Sequence, residues 1–218
     1  MPAFPLFTDC WIYVEQVCED YVSLNKNLKK NILEFDSNRQ NNEIEVAGHL
    51  KANLKEGSLH YFKEEPNDTS IIEKLIKEHS ANAIANVIHA NTGDNNAHEY
   101  INNECAFRIS NSWYHITSLG GYHDYHSHDG CALSGIYYVS VDECSENNGI
   151  NRFYKPFTVG NHEVYGPLGE FMQDNTDVIP ANGNIVIFPA FLPHSAVPYM
   201  GKESRIVIGF NINLIKKG

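Results

Sequence analysis

The chain has little of what marks exported, membrane-spanning or nucleic-acid-binding proteins. It has only five cysteines, an odd number, and no CxxC pair, so reduced thiols are the simplest account of them. No apolar run approaches the ~20 residues of a membrane span, and Met1 to Pro5 show no signal-peptide pattern. Because 27 acidic residues outnumber 16 basic ones, the net charge of −11 disfavours nucleic acid. We therefore predict a cytoplasmic protein that binds neither membranes nor nucleic acid.

The remaining composition is that of a folded domain. Apolar residues make up 42% of the chain and aromatic residues 11%, which is enough for a sizeable core and argues against disorder. A length of 218 residues suits one domain. We predict a single domain over 1–218, with residues 1–103 as a helical and mixed N-terminal support and residues 104–218 as the core that carries the functional site.

Two stretches of the first half have helical periodicity. Apolar residues recur every three or four positions from Tyr21 to Phe35 and again from Ile72 to Ile88, which predicts two amphipathic helices. The first should end near Asn38, and the second at Gly93, a residue that commonly terminates helices. We expect both helices to brace one face of a β-structure.

From residue 104 onward the pattern becomes that of a β protein. Short runs rich in aromatic and β-branched residues alternate with turn residues, which predicts many short strands. These runs are 107–109, 113–116, 133–141, 152–154, 185–188 and 206–214. Residues 158–177 contain several glycines and a proline and are predicted to form a long loop. Many short strands separated by turns favour a sandwich or barrel.

The most unusual stretch is 122–129, where three histidines and two aspartates fall within eight residues. His126 and His128 are two residues apart, so on a β-strand both imidazoles would point to one face and converge on one metal ion. His194, far along the chain, is a candidate third ligand. Asp129 points to the opposite face of a regular strand and would become a ligand only if a bulge turned it inward.

Four pieces of the chain, in order, resemble the iron(II)- and 2-oxoglutarate-dependent oxygenases, and especially bacterial and phage members of that superfamily. They are His126-Ser127-His128, Ser134 to Val139, Phe188 to His194, and Arg205 to Asn211. The resemblance covers about residues 110–215. It implies a mostly β protein with flanking helices, whose core is a double-stranded β-helix, the jelly-roll fold shared with cupins.

The resemblance also implies a metal centre. His126, His128 and His194 would bind Fe(II), with His128 at the place where the family usually has a carboxylate. Asp129 is the reserve ligand, and His123 is expected at the rim of the site. In the family, Fe(II), dioxygen and 2-oxoglutarate together give succinate and carbon dioxide and hydroxylate a substrate, so no further catalytic residue is implied.

The resemblance also implies residues that bind the cosubstrate 2-oxoglutarate. Arg205 would bind the distal carboxylate of 2-oxoglutarate through two parallel hydrogen bonds, and Tyr138 would contact the same carboxylate. Trp113 and His115 are candidates for the pocket wall, with core packing as the alternative. Asn211 faces the same way as Arg205 by strand parity and is a further candidate for the pocket, with hydrogen bonding to backbone groups as the alternative. The substrate is either a small molecule or a peptidyl side chain, and the sequence leaves the oligomeric state open.

A cupin-type metalloprotein with three histidines is the alternative reading. The positions of Gly120 and Gly183 resemble those in the two cupin motifs, and such a protein would be a dioxygenase that needs no 2-oxoglutarate, or a metal-binding barrel without catalysis. The glutamate that cupins carry after their HxH is absent, since Ala132 and Leu133 stand there. Arg205 separates the two readings, because only an enzyme that uses 2-oxoglutarate needs a buried cation there.

Overall fold

The computed structural model describes residues 10–38, 51–65, 67–156 and 175–217. Within these ranges there are nine strands and four helices. In chain order they are β1 (Tyr13–Gln16), α1 (Tyr21–Asn38), β2 (Lys51–Glu56), α2 (Tyr61–Glu64), α3 (Ser70–Thr92), α4 (Ala97–Glu104), β3 (Cys105–His126), β4 (Leu133–Ser140), β5 (Asn151–Tyr154), β6 (Asn175–Val178), β7 (Asn184–Pro189), β8 (His194–Tyr199) and β9 (Arg205–Lys216). None of these helices has both the length and the apolar character needed to span a bilayer.

One long strand, β3, joins two parts of a curled antiparallel sheet. From Cys105 to Thr117 it pairs with β9, beyond which the sheet continues through β4, β7 and β1. From Gly121 to His126 the same edge of β3 pairs with β8, beyond which lie β5 and β6. β2 pairs along the opposite edge of β3. This mostly β, jelly-roll arrangement confirms the predicted fold class.

The strand β9 divides its residues between two surfaces. Its even-numbered residues from 206 to 212 are buried in a hydrophobic core with Ile32 of α1 and Ile76 of α3. Its odd-numbered residues from 205 to 211 line a cavity on the other face. This alternation follows from the two-residue period of a strand. The predicted bracing of one face by two helices is therefore confirmed.

Both of those helices end where their sequences indicate. α1 ends at Asn38, and α3 ends at Thr92, directly before Gly93. Gly93 has a φ of 72°, and its N–H donates to the carbonyl oxygen of His89 at 2.8 Å. Glycine favours this left-handed position because it has no Cβ to collide with the backbone.

The strands extend beyond the predicted ones. The runs 107–109 and 113–116 belong to the single strand β3. β6 begins at Asn175, inside the predicted loop, and the part of that loop over 158–174 lies outside the described residues. β8 has weak alternation and contains Pro198, so its sequence does not indicate a strand.

The N-terminal region contributes more than helices. It supplies β1, which pairs with β7, and β2, which pairs with β3. Residues on both sides of position 103 therefore share one sheet. The domain limits themselves stay a prediction.

Candidate active site

The cavity behind the odd-numbered face of β9 has a volume of about 350 Å³. Its walls come from β2, β3, β4, β5, β8 and β9, so it lies inside the curl of the sheet. Its lining contains five histidines, one glutamate and one arginine. These are Glu56, His115, His123, His126, His128, His194 and Arg205.

Three of the imidazoles meet where the end of β3 lies beside the start of β8. His126 and His194 are register partners, and their ring centroids are 4.2 Å apart. The ring centroid of His128 lies 5.2 Å from each of the other two. One ring nitrogen from each residue falls within a group whose members are all within 4.8 Å of one another. This spacing allows the three side chains to bind one metal ion.

Backbone carbonyls determine the tautomers of two of these rings. Nδ1 of His126 donates to the carbonyl oxygen of Asp124 at 2.7 Å, and Nδ1 of His194 donates to that of Leu192 at 3.1 Å. Since Nδ1 carries the hydrogen, Nε2 carries the lone pair that a metal requires. Burial lowers the pKa of His194 to about 2, with a smaller contribution from His126, so this ring is neutral.

His128 reaches the group by a route that differs from the predicted one. β3 ends at His126, so strand alternation does not align the two rings. Instead, the backbone N–H of His128 donates to the carbonyl oxygen of Ala190 at 2.9 Å, and the ring of Trp113 lies 5.5 Å from that of His128. The reserve ligand Asp129 is exposed and stands outside the group of three.

Arg205 is a buried cation, only 2% exposed, at the start of β9. Its Nη2 donates to Oδ1 of Asn151 at 2.8 Å, whereas its Nε has no hydrogen-bond partner. None of the ion pairs in the described part of the chain includes it. An uncompensated buried charge costs ~3–5 kcal/mol, so this position favours an anionic ligand. A carboxylate fits best, because it accepts two parallel hydrogen bonds from a guanidinium.

Tyr138 lies behind Arg205. Its hydroxyl donates to Oδ1 of Asn151 at 2.9 Å, and the centre of its ring is 5.9 Å from Cζ of Arg205. The ring is fully buried in a core cluster with Phe153 and Phe188. Burial raises the pKa of Tyr138, so its hydroxyl stays a hydrogen-bond donor. The link between Tyr138 and Arg205 thus runs through Asn151, a residue that the sequence did not single out.

The three expected pocket residues all line the cavity. Trp113 covers Gly209, where an added Cβ would lie only 2.3 Å from the indole ring. Asn211 is buried, and its Oδ1 has no hydrogen-bond partner. Nε2 of His115 lies 2.8 Å from Oε2 of Glu56. The cavity therefore presents an aromatic wall and unsatisfied polar atoms to a ligand.

Two other lining residues depart from expectation. His123, expected at the rim, is instead 8% exposed, and its ring centroid is 3.9 Å from that of His126. Its place in the histidine-rich stretch was the signal for a functional role. Glu56 had no such signal, because it enters the cavity only through the pairing of β2 with β3.

A family model described as "Putative 2OG-Fe(II) oxygenase" matches residues 111–211. The matched segment contains the three grouped histidines and Arg205. This segment of the chain is thus similar to the 2OG-Fe(II) oxygenases. The enzyme class and the cofactors of that family, iron and 2-oxoglutarate with dioxygen, agree with those predicted from the sequence.

Solved structures resemble this chain along most of its length. A prolyl-4-hydroxylase of Pseudomonas putida shares 13% identity over 96% of this chain and 94% of its own, with a TM-score of 0.54. The viral collagen prolyl hydroxylase of Paramecium Bursaria Chlorella virus-1, in its 2-oxoglutarate complex, shares 10% over 93% and 95%, with a TM-score of 0.51.

HygX from Streptomyces hygroscopicus, bound to nickel, 2-oxoglutarate and hygromycin B, is a further similar structure. It shares 10% identity over 95% of this chain and 84% of its own, with a TM-score of 0.52. At such identities the likeness is one of fold. Among curated protein sequences, none matches this chain.

Proposed function

We propose that this protein is a 2OG-Fe(II) oxygenase, specifically a hydroxylase, that holds Fe(II) on His126, His128 and His194 and 2-oxoglutarate on Arg205. The observation that carries the proposal is a buried cation without a carboxylate partner among the described residues, in the same cavity as three grouped imidazoles. When bound, iron and 2-oxoglutarate activate dioxygen, release succinate and carbon dioxide, and oxidise a C–H bond of the substrate.

The chain's own contribution begins with the orientation of the ligands. The carbonyl oxygens of Asp124 and Leu192 hold two rings with Nε2 free of hydrogen. Loss of hydrogen bonds that orient metal-binding histidines in this way typically weakens metal binding about 10- to 100-fold. Asn151 in turn holds the guanidinium of Arg205. The site is thus organised before its ligands arrive.

The charges in the site explain why Fe(II) and 2-oxoglutarate should bind together. Iron oxygenases usually hold Fe(II) on two histidines and one carboxylate, but all three proposed ligands here are imidazoles, which bring no negative charge. The two carboxylates of 2-oxoglutarate would offset the charges of the metal and of Arg205. We therefore expect each ligand to bind more tightly in the presence of the other.

The volume of the cavity limits the size of the group that can be oxidised in it. A volume of about 350 Å³ lies at the low end of the ~300–1,000 Å³ of small-molecule sites. We propose a small molecule or a single peptidyl side chain as the substrate, since either can enter a cavity of this size.

All five cysteines are free, which supports the proposed cytoplasmic location.

The test is anaerobic loading with Fe(II), followed by measurement of succinate after addition of 2-oxoglutarate and oxygen. We expect succinate from the wild type, little from His194→Ala and Arg205→Met, and wild-type amounts from His98→Asn, a control at an exposed histidine outside the cavity.

Two results would reject parts of the proposal. Equal iron binding by the wild type and His194→Ala would reject the metal assignment, and equal affinity of the wild type and Arg205→Met for 2-oxoglutarate would reject the cosubstrate assignment. Iron binding without succinate from the wild type would favour the cupin-type alternative.

A further inference from the structure

A second group of side chains of the types that bind metals lies in the same cavity. The chemistry proposed above does not involve this group. The group consists of Glu56, His115 and His123, and one ligand atom from each falls within 4.8 Å of the other two. All three residues are half-buried or buried. Two imidazoles and one carboxylate are a common donor set for divalent transition metals.

The sheet brings these residues together from distant positions. Glu56 and His115 are register partners on β2 and β3. His115 and His123 are eight residues apart on β3, a separation that spans ~26 Å in an extended strand. Their rings nevertheless stack with centroids 5.6 Å apart. The curl and a bulge of β3 shorten the path between them.

The bulge is a specific feature of the sequence. Between the pairs Ala52–Tyr122 and Leu54–Thr117, the single residue Asn53 on β2 opposes four residues of β3. Two of those four are glycines: Gly120 has a φ of 76°, and a Cβ at Gly121 would lie 2.4 Å from Cγ2 of Thr117. The Gly120-Gly121 pair therefore makes the approach of His115 and His123 possible.

Hydrogen bonding prepares His123 as a ligand. Its Nδ1 donates to the carbonyl oxygen of Asp124 at 3.1 Å, and that same oxygen accepts a hydrogen bond from Nδ1 of His126. Nε2 of His123 therefore carries the lone pair. One backbone oxygen thus sets the same tautomer in two adjacent rings, one in each group of ligands.

The separation of the other two ligand atoms also suits a bound ion. Two donors ~2.1 Å from one ion and at right angles to each other lie ~3.0 Å apart. Nε2 of His115 and Oε2 of Glu56 are 2.8 Å apart. The ion would replace the hydrogen that now lies between these two atoms, and that proton would pass to water or to Nδ1.

We propose that Glu56, His115 and His123 form a second binding site for a divalent transition metal, next to the three-histidine centre. An ordinary ion pair between Glu56 and His115 would account for those two residues. His123 adds a third ligand atom to that pair, because it is a buried imidazole with a fixed tautomer whose ligand atom lies within the same group. The second group also contains the carboxylate that the three-histidine group lacks.

The experiment is equilibrium dialysis of the metal-free protein against Co(II) under anaerobic conditions, with metal and protein both quantified. We expect two equivalents for the wild type, one for Glu56→Gln and one for His194→Ala. A double variant with both changes should bind none. The control His98→Asn should still bind two, because His98 is exposed and does not line the cavity.

Circular dichroism spectra would establish that each variant is folded, and His123→Gln would serve as a second variant if Glu56→Gln were not. One equivalent in the wild type, or two in both Glu56→Gln and His123→Gln, would overturn the second site. The proposed function fails on a different result, namely two equivalents in His194→Ala. The two ideas are therefore tested separately by one measurement.

Discussion

The side-chain oxygen of Asn151 accepts two hydrogen bonds, one from Nη2 of Arg205 at 2.8 Å and one from the hydroxyl of Tyr138 at 2.9 Å. The amide is neutral, so it holds the guanidinium in place without offsetting its charge. The positive charge of Arg205 is thereby kept available for an anionic ligand.

The first prediction concerns Asn151→Asp. The new carboxylate would pair with Arg205 and compete with 2-oxoglutarate for it. Hydrogen bonds to charged groups contribute ~1.5–3 kcal/mol, so we expect 2-oxoglutarate to bind roughly 10- to 150-fold more weakly. Titration calorimetry on the anaerobic Mn(II)-loaded protein measures this. The midpoint of thermal unfolding without ligand should rise, because the buried cation gains a counter-ion; unchanged affinity would contradict the role given to Arg205.

The second prediction separates the charge of Arg205 from its shape. Arg205→Lys keeps the charge but loses the planar fork that matches a carboxylate. We expect 2-oxoglutarate to bind about 10-fold more weakly to this variant and more weakly still to Arg205→Met, by the same calorimetry. Arg152→Lys is the matched control, because Arg152 forms a two-bond pair with Asp177 at the surface. An equal loss in the control would point to a general effect of the substitution.

The third prediction concerns the missing carboxylate of the metal centre. His128→Asp would restore a set of two histidines and one carboxylate, so it should retain Fe(II) binding, whereas His128→Ala should weaken it at least ~10- to 100-fold. Anaerobic dialysis against Fe(II) measures both. Asp129→Asn is the control, since Asp129 is exposed and should leave iron affinity unchanged. Loss of iron in that control would make Asp129 the ligand instead.

The fourth prediction tests the bulge in β3. In Gly121→Ala the added Cβ would meet Cγ2 of Thr117 at 2.4 Å and the carbonyl oxygen of Asn53 at 2.6 Å. Overpacking of this kind lowers the free energy of unfolding by ~1–3 kcal/mol. At ~2–4 °C per kcal/mol for a chain of this size, the midpoint of thermal unfolding should fall by several degrees.

Gly130→Asn is the control for that change. Gly130 has a φ of 73° and no atom within 4 Å of the position of an added Cβ. Asparagine tolerates this backbone conformation, so the midpoint should shift little. A similar shift in both variants would show that the crowding at Gly121 has no special importance.

The sequence predicted the parts of the molecule that depend on local pattern. The periodicity of α1 and α3 gave their extents, and the alternation in β9 placed Arg205 and Asn211 on one face. The order of the histidine-bearing segments brought His126, His128 and His194 to one place. In each case the information lies within a few residues of the feature, or in the resemblance to a family.

What the sequence missed depends on pairing between distant segments. Glu56 meets His115 across 59 positions, and Asn151 meets Arg205 across 54. A one-residue slip of either strand would turn these side chains to the other face, and no local pattern fixes the register. His128 was assigned by strand parity, but β3 ends two residues before it, so its ring lies beside those of His126 and His194 for a reason other than the predicted one.

The pairing of β1 with β7 and of β2 with β3 has a consequence for how the chain can be divided. These two N-terminal strands cover backbone N–H and carbonyl groups of β7 and of the region 115–123. A fragment beginning at residue 104 would leave both rows of groups unprotected and ready to pair with other chains. Such a fragment is therefore expected to self-associate, whereas in the full chain β1 and β2 pair with both rows of groups.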